Sequence, residues 1–488
     1  MKNREEKQGH PKALYQSLRR HHWENVHALS RRPNLFSGAY HKHLQSLFSR
    51  TVAPQSRVLE VGCGNGDLLA ALTPCLGIGI DHAGAAIRLA QEKHGRNPRL
   101  HFSCGEADQL PLRPGPAFDA IICSDLLNDL WDVQGLFQHL LDFSSPSTRL
   151  YLNFHSHLWS LPLRLAQTAG LANPLLAQNW LTVDDVGHLL KLGGWEPIDH
   201  QTEVLLPFPE RPCGRLINSF LAHLPFFSAG ALTHVMVARP SPGEFPHLKE
   251  TSVSVIIPVR NEAGHLSDLF ARLAPVSPQT EFLFVEGHST DNSWDCLQGE
   301  IARNTHLECR SFRQPGKGKR DAVQTGFQEA RGDILIILDS DLSVAPEDLH
   351  RFYRALVSGT GEFINGVRLV YPMEDQAMQF ANLVGNKLFS WALSWTLGQP
   401  VKDCLCGTKA FWRRDLERLG HFGPAAATHD PFGDFDLLIG AAQLKLKIVD
   451  LPVRYHARTY GETNIQRWQD GWKLLKRIFA AARQLHGF

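Results

Sequence analysis

The run Val58-Leu-Glu-Val-Gly-Cys-Gly-Asn-Gly-Asp67 leaves the chain little freedom in how it folds. An apolar strand from Arg57 to Val61 meets glycines at 62, 64 and 66, and a helical stretch from Asp67 to Leu72 follows. Glycine permits the tight turn and a close backbone approach by a ligand, so strand, turn and helix form one unit. The pattern then repeats. Leu76 to Ile80 ends in Asp81 and precedes a helical stretch from Ala85 to His94; Leu100 to Cys104 leads to Glu106-Ala-Asp108; Phe118 to Cys123 leads to Ser124-Asp125. Later strands are expected at Leu150 to Phe154, Trp195 to Asp199 and Thr233 to Ala238. Strands alternating with helices predict a mostly parallel sheet.

A second series begins after Arg239-Pro-Ser-Pro-Gly-Glu-Phe-Pro246, whose prolines break helices and withhold backbone donors from a sheet. Strands are predicted at Val253 to Val259, Glu281 to Val285, Leu307 to Phe312 and Asp333 to Leu338, with helices at Glu262 to Leu273, beyond Thr290, Gly318 to Ala330 and Pro346 to Val357. A chain of 488 residues exceeds what one core organises. The expected division is a helical leader over 1–50, a first domain over 51–240, a linker over 241–250 and a second domain over 251–488. The leader is rich in His, Arg and Lys, and its role is not legible.

The net charge of +1 gives no support to long-range attraction of nucleic acid. Nine scattered cysteines favour a reduced, cytoplasmic compartment. No apolar run is long enough for a membrane span, although Gln379 to Gly398 is aromatic and apolar enough for peripheral contact with the cytoplasmic membrane, and Trp468 to Gln484 reads as an amphipathic cover helix.

In the first domain Glu60 lies just before the glycine turn, Asp81 ends the next strand where ribose hydroxyls can donate to it, and Glu106 and Asp108 can meet an adenine amino group. An acid beside the turn favours a cationic amino acid-like ligand and repels a pyrophosphate. This stretch resembles the class I methyltransferases, over roughly residues 50 to 240. The resemblance implies that Glu60, Gly62, Gly64 and Gly66 surround the methionine part of S-adenosylmethionine and Asp81 the ribose. It also implies that Glu106 or Asp108 lies near adenine and that Ser124 and Asp125 flank the transfer channel. Asp129, His155 and His157 are candidate bases, with surface or capping roles as the alternative.

In the second domain Leu335-Ile-Ile-Leu-Asp-Ser-Asp-Leu342 delivers Asp339 and Asp341 to a strand end, where alternation by two would send both to one side. A divalent cation offsets their repulsion and binds diphosphate oxygens. The opening Val253-Ser-Val-Ile-Ile-Pro-Val-Arg-Asn-Glu262 resembles glycosyltransferase family 2, whose fold is of the GT-A type, and the resemblance spans about 250 to 480. It implies that Pro258, Arg260 and Glu262 line the nucleoside pocket, with Asp291 and, in place of an aspartate pair, Glu286. Gly316-Lys-Gly-Lys319 resembles a phosphate-approaching turn, so Lys317 and Lys319 are either phosphate ligands or plain solvated lysines. The segments around Gly407, Gly433 to Asp436 and Arg458 to Thr463 resemble acceptor regions of polyprenyl-phosphate sugar transferases, with Cys406 where serine is usual. Asp434 is the first candidate base, Asp436 the second, and Arg458 a partner for phosphate; capping is the alternative for the two acids.

The fold class expected is α/β, a Rossmann-like methyltransferase domain followed by a GT-A glycosyltransferase domain. The expected activity is bifunctional: methyl transfer from S-adenosylmethionine, and transfer of a sugar from a nucleoside diphosphate sugar, with Mg2+ or Mn2+, to a small-molecule, glycan or lipid-linked acceptor. The competing reading leaves the first domain a regulatory or recruiting role.

Overall fold

The computed structural model describes residues 11–29, 35–113, 115–168, 176–205, 218, 227, 230–244, 251–368, 380–403, 406–421, 434–454, 476–483 and 485. The chain divides into two compact units, Met1–Phe245 and Pro246–Leu485.

The first unit opens with helices α1 (Pro11–Leu29) and α2 (Leu35–Thr51). Then follow β1 (Arg57–Val61), α3 (Asp67–Ala71), β2 (Leu76–Asp81), α4 (Gly84–His94), β3 (Leu100–Cys104), β4 (Ala120–Ser124), α5 (Val133–Leu140), β5 (Arg149–His155), α6 (Ser160–Thr168), α7 (Val183–Leu192), β6 (Trp195–Glu203) and β7 (Thr233–Pro240). The sheet order is β3-β2-β1-β4-β5-β7-β6. Strands β1 to β5 pair in parallel and β7 runs antiparallel between β5 and β6. The central strands are near-continuous apolar runs because helices cover both faces. On one face Leu136, Phe137 and Leu140 of α5 pack on Leu59, Ile121 and Leu152. On the other, Leu44, Leu47 and Phe48 of α2 share one helical stripe and meet Val58, Leu69 and Tyr151. The leader's second helix is therefore part of the core. Strand β7 continues to Pro240, into the segment read as a boundary, with Arg239 and Pro240 paired to β6.

The second unit runs β8 (Val253–Val259), α8 (Leu266–Arg272), β9 (Thr280–Glu286), α9 (Ser293–Arg303), β10 (Glu308–Arg313), α10 (Lys319–Glu329), β11 (Ile334–Ile337), α11 (Leu349–Val357), β12 (Phe363–Val367), α12 (Phe380–Leu397), β13 (Lys409–Trp412), α13 (Leu416–His421), α14 (Asp434–Gln443) and β14 (Ile448–Pro452). The sheet order is β10-β9-β8-β11-β13-β12-β14, with β13 antiparallel to both neighbours. The last three strands escape a reading by hydrophobic run: they are short and carry Asn365, Gly366 and Lys409. Lys409 is fully buried, its Nζ donating to Asn365 Oδ1 (3.0 Å) and the Cys406 carbonyl (2.7 Å), which offsets its desolvation. Helix α8 starts at Leu266 rather than Glu262. The amides of residues 261 to 263 are instead held by Ser289 Oγ (3.0 Å), Ser293 Oγ (2.8 Å) and Asp291 Oδ2 (3.3 Å).

Within the expected C-terminal cover helix, residues 476–483 are helical, and the part before them lies outside the described residues. Among the described residues no helix is long and apolar enough to cross a membrane.

In each sheet the strand order reverses beside the first strand of the series, between β1 and β4 and between β8 and β11. Crevices at such points, beyond the C-terminal strand ends, are where open α/β sheets take ligands. The second sheet depends on Phe411, fully buried, stacked on Phe363 and edge-on to Phe327, each at 5.6 Å. Phe411→Ala is expected to cost about 3–5 kcal/mol, seen as a lower urea midpoint in an unfolding curve followed by circular dichroism.

Candidate functional sites

The turn after β1 is built from three glycines with φ of 79° (Gly62), 51° (Gly64) and 76° (Gly66), the left-handed region that side chains disfavour. At Gly66 the need is also steric, since an added Cβ would lie 2.6 Å from the Phe102 ring. At Gly64 the nearest atom to such a Cβ is His27 Cε1 at 3.8 Å, so this position faces space. Asp81 braces the turn: its Oδ2 accepts from the Gly64 amide (2.9 Å) and its Oδ1 from the Ala83 amide (2.8 Å). Glu60 is different. It is 2% exposed, one oxygen is hydrogen-bonded to the Leu69 backbone, and Oε2 has no partner. Burial pushes its carboxyl well above the usual range.

Beside this turn a cavity is lined by His82, Glu106, Ala107, Asp108 and Leu126 from the loops after β2, β3 and β4. Helix α1 forms its other wall with Tyr15, Gln16 and Arg19. Arg20 ion-pairs with Glu106, and Lys12 with Asp108, which also accepts from Gln16 Nε2 (3.3 Å). Asp129 receives Trp23 Nε1 (2.7 Å) and faces Arg19 Nε (3.4 Å). Glu24 accepts from the first amides of α4, Gly84 at 2.6 Å and Ala85 at 3.0 Å. The leader helix, whose role the sequence does not disclose, thus touches the loop after each of β2, β3 and β4.

Across the switch point Ser124 ends β4, half-buried, and Asp125 follows with φ 52°. Asp125 Oδ1 accepts from Tyr40 Oη (2.8 Å) and Asn153 Nδ2 (2.6 Å), and lies 3.9 Å from His155 Nε2. Burial, with the Asp125 charge next to it, pushes the Tyr40 hydroxyl well above its ordinary range, so it stays a donor. Tyr40 and Asn153 are residues the sequence reading misses. Tyr40 sits in the leader, and nothing local separates Asn153 from other strand polar residues.

In the second unit, Asp339 Oδ1 meets Lys319 Nζ at 2.6 Å, and a Cβ added at Gly407 would overlap both groups. Ser340 Oγ donates to the Pro258 carbonyl (2.7 Å), tying β11 to β8 across the switch point. Asp341 is buried, its Oδ1 accepting from the Ser343 amide (3.0 Å). The expectation that alternation sends Asp339 and Asp341 to one side does not apply, because β11 ends at Ile337 and both lie in or before the following turn. Lys317 and Arg260 are exposed. Glu262 Oε2 lies 2.6 Å from His265 Nδ1, and Asp291 Oδ1 accepts from the Ser293 amide and hydroxyl (3.0 and 2.5 Å), so these acids order the loops after β8 and β9. Glu286, 4% exposed, accepts from the Ser289 amide (2.5 Å) and faces Arg313 (3.8 Å).

Residues 58–147 match the family model described as a methyltransferase domain, and residues 254–420 match glycosyl transferase family 2. The chain joins a methyltransferase domain to a family 2 glycosyltransferase domain. The two are of the Rossmann-like and GT-A types. An Edwardsiella ictaluri (strain 93-146) undecaprenyl-phosphate 4-deoxy-4-formamido-L-arabinose transferase is 25% identical over 215 residues, 43% of this chain and 62% of the relative, so the chain spans under two thirds of that protein. Among solved structures, magnesium protoporphyrin IX methyltransferase from Synechocystis PCC 6803 is 18% identical and covers 47% of this chain and 98% of its own, at a TM-score of 0.33. Glucosyl-3-phosphoglycerate synthase from Mycobacterium tuberculosis is 16% identical, covering 49% and 81%, at a TM-score of 0.36. At those scores neither likeness bears on the argument.

The residues expected on the acceptor side fall partly outside the described ones. Arg458 and Gly433 lie outside the described residues; Asp434 opens α14, and its side chain is likewise outside them. Asp436 is gripped by Arg477 (2.6 Å) and Arg320 (3.3 Å), which occupies a carboxylate proposed as a base. Among the described residues no three His, Cys, Asp or Glu side chains converge as a metal cage.

The methyltransferase domain gives a direct test of Glu60. Because the folded chain prefers its protonated form, the parent protein is favoured near and below the ordinary glutamate value of 4.5 and loses stability as pH rises toward the raised folded value. Ligand-free Glu60→Gln should therefore melt above the parent at pH 8, with the gain shrinking toward pH 5, in fluorimetric thermal scans.

Proposed function

We propose that the chain is a bifunctional enzyme that transfers a methyl group from S-adenosylmethionine and a sugar from a nucleoside diphosphate sugar. The observation that carries this is the set of acids at both switch points. In the methyltransferase domain the unpartnered, buried Glu60 Oε2 suits the ammonium of the methionine part, Asp81 the ribose, and the cavity by Glu106 and Asp108 the adenine. S-adenosylmethionine supplies a methyl carbon on a cationic sulfur, which leaves with its electron pair as the acceptor atom attacks.

Asp125 is the base this geometry favours over Asp129, whose carboxylate is engaged by Trp23 and Arg19. Tyr40 and Asn153 fix Asp125 Oδ1, while Oδ2 has no hydrogen bond among the described residues and can take the acceptor's proton.

In the glycosyltransferase domain Asp339, with Asp341 behind it, fits Mg2+ or Mn2+ as one or two carboxylates that share the ion with a diphosphate, for which a three-carboxylate cage is not required. Such an ion would neutralise charge on the departing diphosphate. Lys319 lies within reach of the same oxygens, and the exposed Lys317 extends that positive edge. A lipid-linked phosphate is the acceptor favoured by the undecaprenyl-phosphate relative, with a glycan or small molecule as the wider class, and its use entails peripheral contact with a cytoplasmic membrane surface.

Calorimetric titration tests both halves. S-adenosylmethionine should bind without metal, and a sugar nucleotide should bind at least tenfold tighter with Mn2+. Asp339→Asn should abolish the Mn2+ effect and leave S-adenosylmethionine affinity unchanged. Failure of both ligand classes would overturn the proposal. In methyl transfer to any acceptor found, Asp125→Asn should lower kcat by about 10²–10⁴ while the S-adenosylmethionine Kd stays within about threefold; loss of binding instead would make Asp125 a binding residue.

A further inference from the structure

Gln314 is the first residue after β10, at the strand ends where the nucleotide is proposed to bind, and it is 3% exposed. Its backbone amide donates to the Glu286 carbonyl (3.0 Å), and its Nε2 donates to the Gly316 carbonyl (3.2 Å). Its Oε1 is buried and has no donor. The amide orientation follows from these contacts: exchanging the two ends would set Oε1 against the Gly316 carbonyl and leave an unmatched N–H in its place. The side chain lies between the turns after β9 and β10, for a Cβ added at Gly287 would sit 3.6 Å from Nε2. A closed acceptor without a donor is unfavourable, and a ligand N–H arriving there removes the penalty.

The neighbouring carboxylate, unlike Gln314 Oε1, has a protein group at each oxygen. Glu286 Oε1 is occupied by the Ser289 amide, and its Oε2 faces Arg313. In this corner Gln314 Oε1 is the buried acceptor that has no partner among the described residues. The Arg313 guanidinium is stacked 4.3 Å over the Trp294 ring and lies 3.8 Å from Glu286 Oε2.

From this we infer that Gln314, rather than Glu286, reads the base of the donor nucleotide, and that the base is an imide pyrimidine, uracil or thymine. The matching is by count. An imide has one ring N–H, satisfied by one acceptor, and carbonyls that accept from Arg313 or from the second hydrogen of Nε2. The exocyclic amines of cytosine, adenine and guanine each bring a further N–H, and guanine adds a ring N–H beside its amine. A free carboxylate would suit guanine, but Glu286 is not free in that sense. The inference rests on the glycosyltransferase reading and narrows its substrate class.

Titration of the full chain with UDP, dTDP, CDP, GDP and ADP in 5 mM MgCl2 tests it. UDP and dTDP should bind at least tenfold tighter than the other three, and the ratio of UDP to dTDP separates uracil with ribose from thymine with deoxyribose. Gln314→Leu should weaken the preferred nucleotide at least tenfold and change CDP and GDP by less than threefold, while Glu286→Gln should leave the ranking of bases intact. S-adenosylhomocysteine affinity in the same samples checks that each variant is folded, and the ranking by the parent chain stands as a test even where Gln314→Leu does not fold. Equal binding of all five nucleotides, tighter CDP or GDP, or an unchanged UDP affinity in Gln314→Leu would overturn the inference alone. If none of the five binds, the glycosyltransferase reading falls and takes the inference with it.

Discussion

Both units depend on acids held at the C-terminal ends of buried strands, where taking a carboxylate out of water must be offset by a partner. The acids are offset in different ways. Asp81 accepts from the amide of Gly64 in the neighbouring turn and of Ala83 in its own, and Asp291 and Asp341 accept from amides of their own turns, which fixes the loops. Asp436 is neutralised by two arginines. Asp125 has one oxygen held by Tyr40 and Asn153 and the other without a hydrogen bond. Glu60 alone among these is buried with an oxygen that nothing satisfies, beside a turn whose glycines make room.

The leader helix α1 adds a second layer to that arrangement. It supplies cations to Glu106, Asp108 and Asp129 and a carboxylate to the start of α4, so one amphipathic element neutralises charge on several loops at once. The more exposed of these pairs, Lys12–Asp108 and Arg20–Glu106, contribute little individually. Together with the largely buried Arg19–Asp129 contact they join the loops after β3 and β4 to one helix. Burial pushes His27, at the end of this helix, below the usual histidine range, which keeps the ring neutral next to the glycine turn.

The βα series was legible because its strands are long apolar runs ended by acids, and periodicity with glycine punctuation reports that directly. The strands β12, β13 and β14 were not, since four or five residues containing Asn365-Gly366, Lys409, or Asp450 and Pro452 resemble a loop until the sheet supplies their partners. Within the sites, Glu60 and Asp81 fall at strand ends as read, whereas Asp339 lies two residues past the end of β11. Residues whose importance comes from long-range contact stayed hidden: Tyr40 reaches Asp125 from 85 positions away, and Gln314 matters only because Gly287 and Gly316 enclose it. The sequence also could not tell that Glu286 is consumed by its own turn.

The charge around Asp339 bears on how the proposed diphosphate could be accommodated. Lys319 meets Asp339 in an ion pair at 2.6 Å. A nucleoside diphosphate entering beside it adds negative charge that a single ammonium cannot cover while it still serves Asp339, and Coulomb repulsion between carboxylate and phosphate at contact distance grows as water is excluded. In the proposed reading a divalent cation held by Asp339 would offset that repulsion and leave Lys319 available to the phosphate. The close approach of the Gly407 backbone, where any side chain would overlap both partners, keeps that exchange confined to a narrow space. Gly407 is thus the position at which a substitution would be felt by the acid and the lysine together.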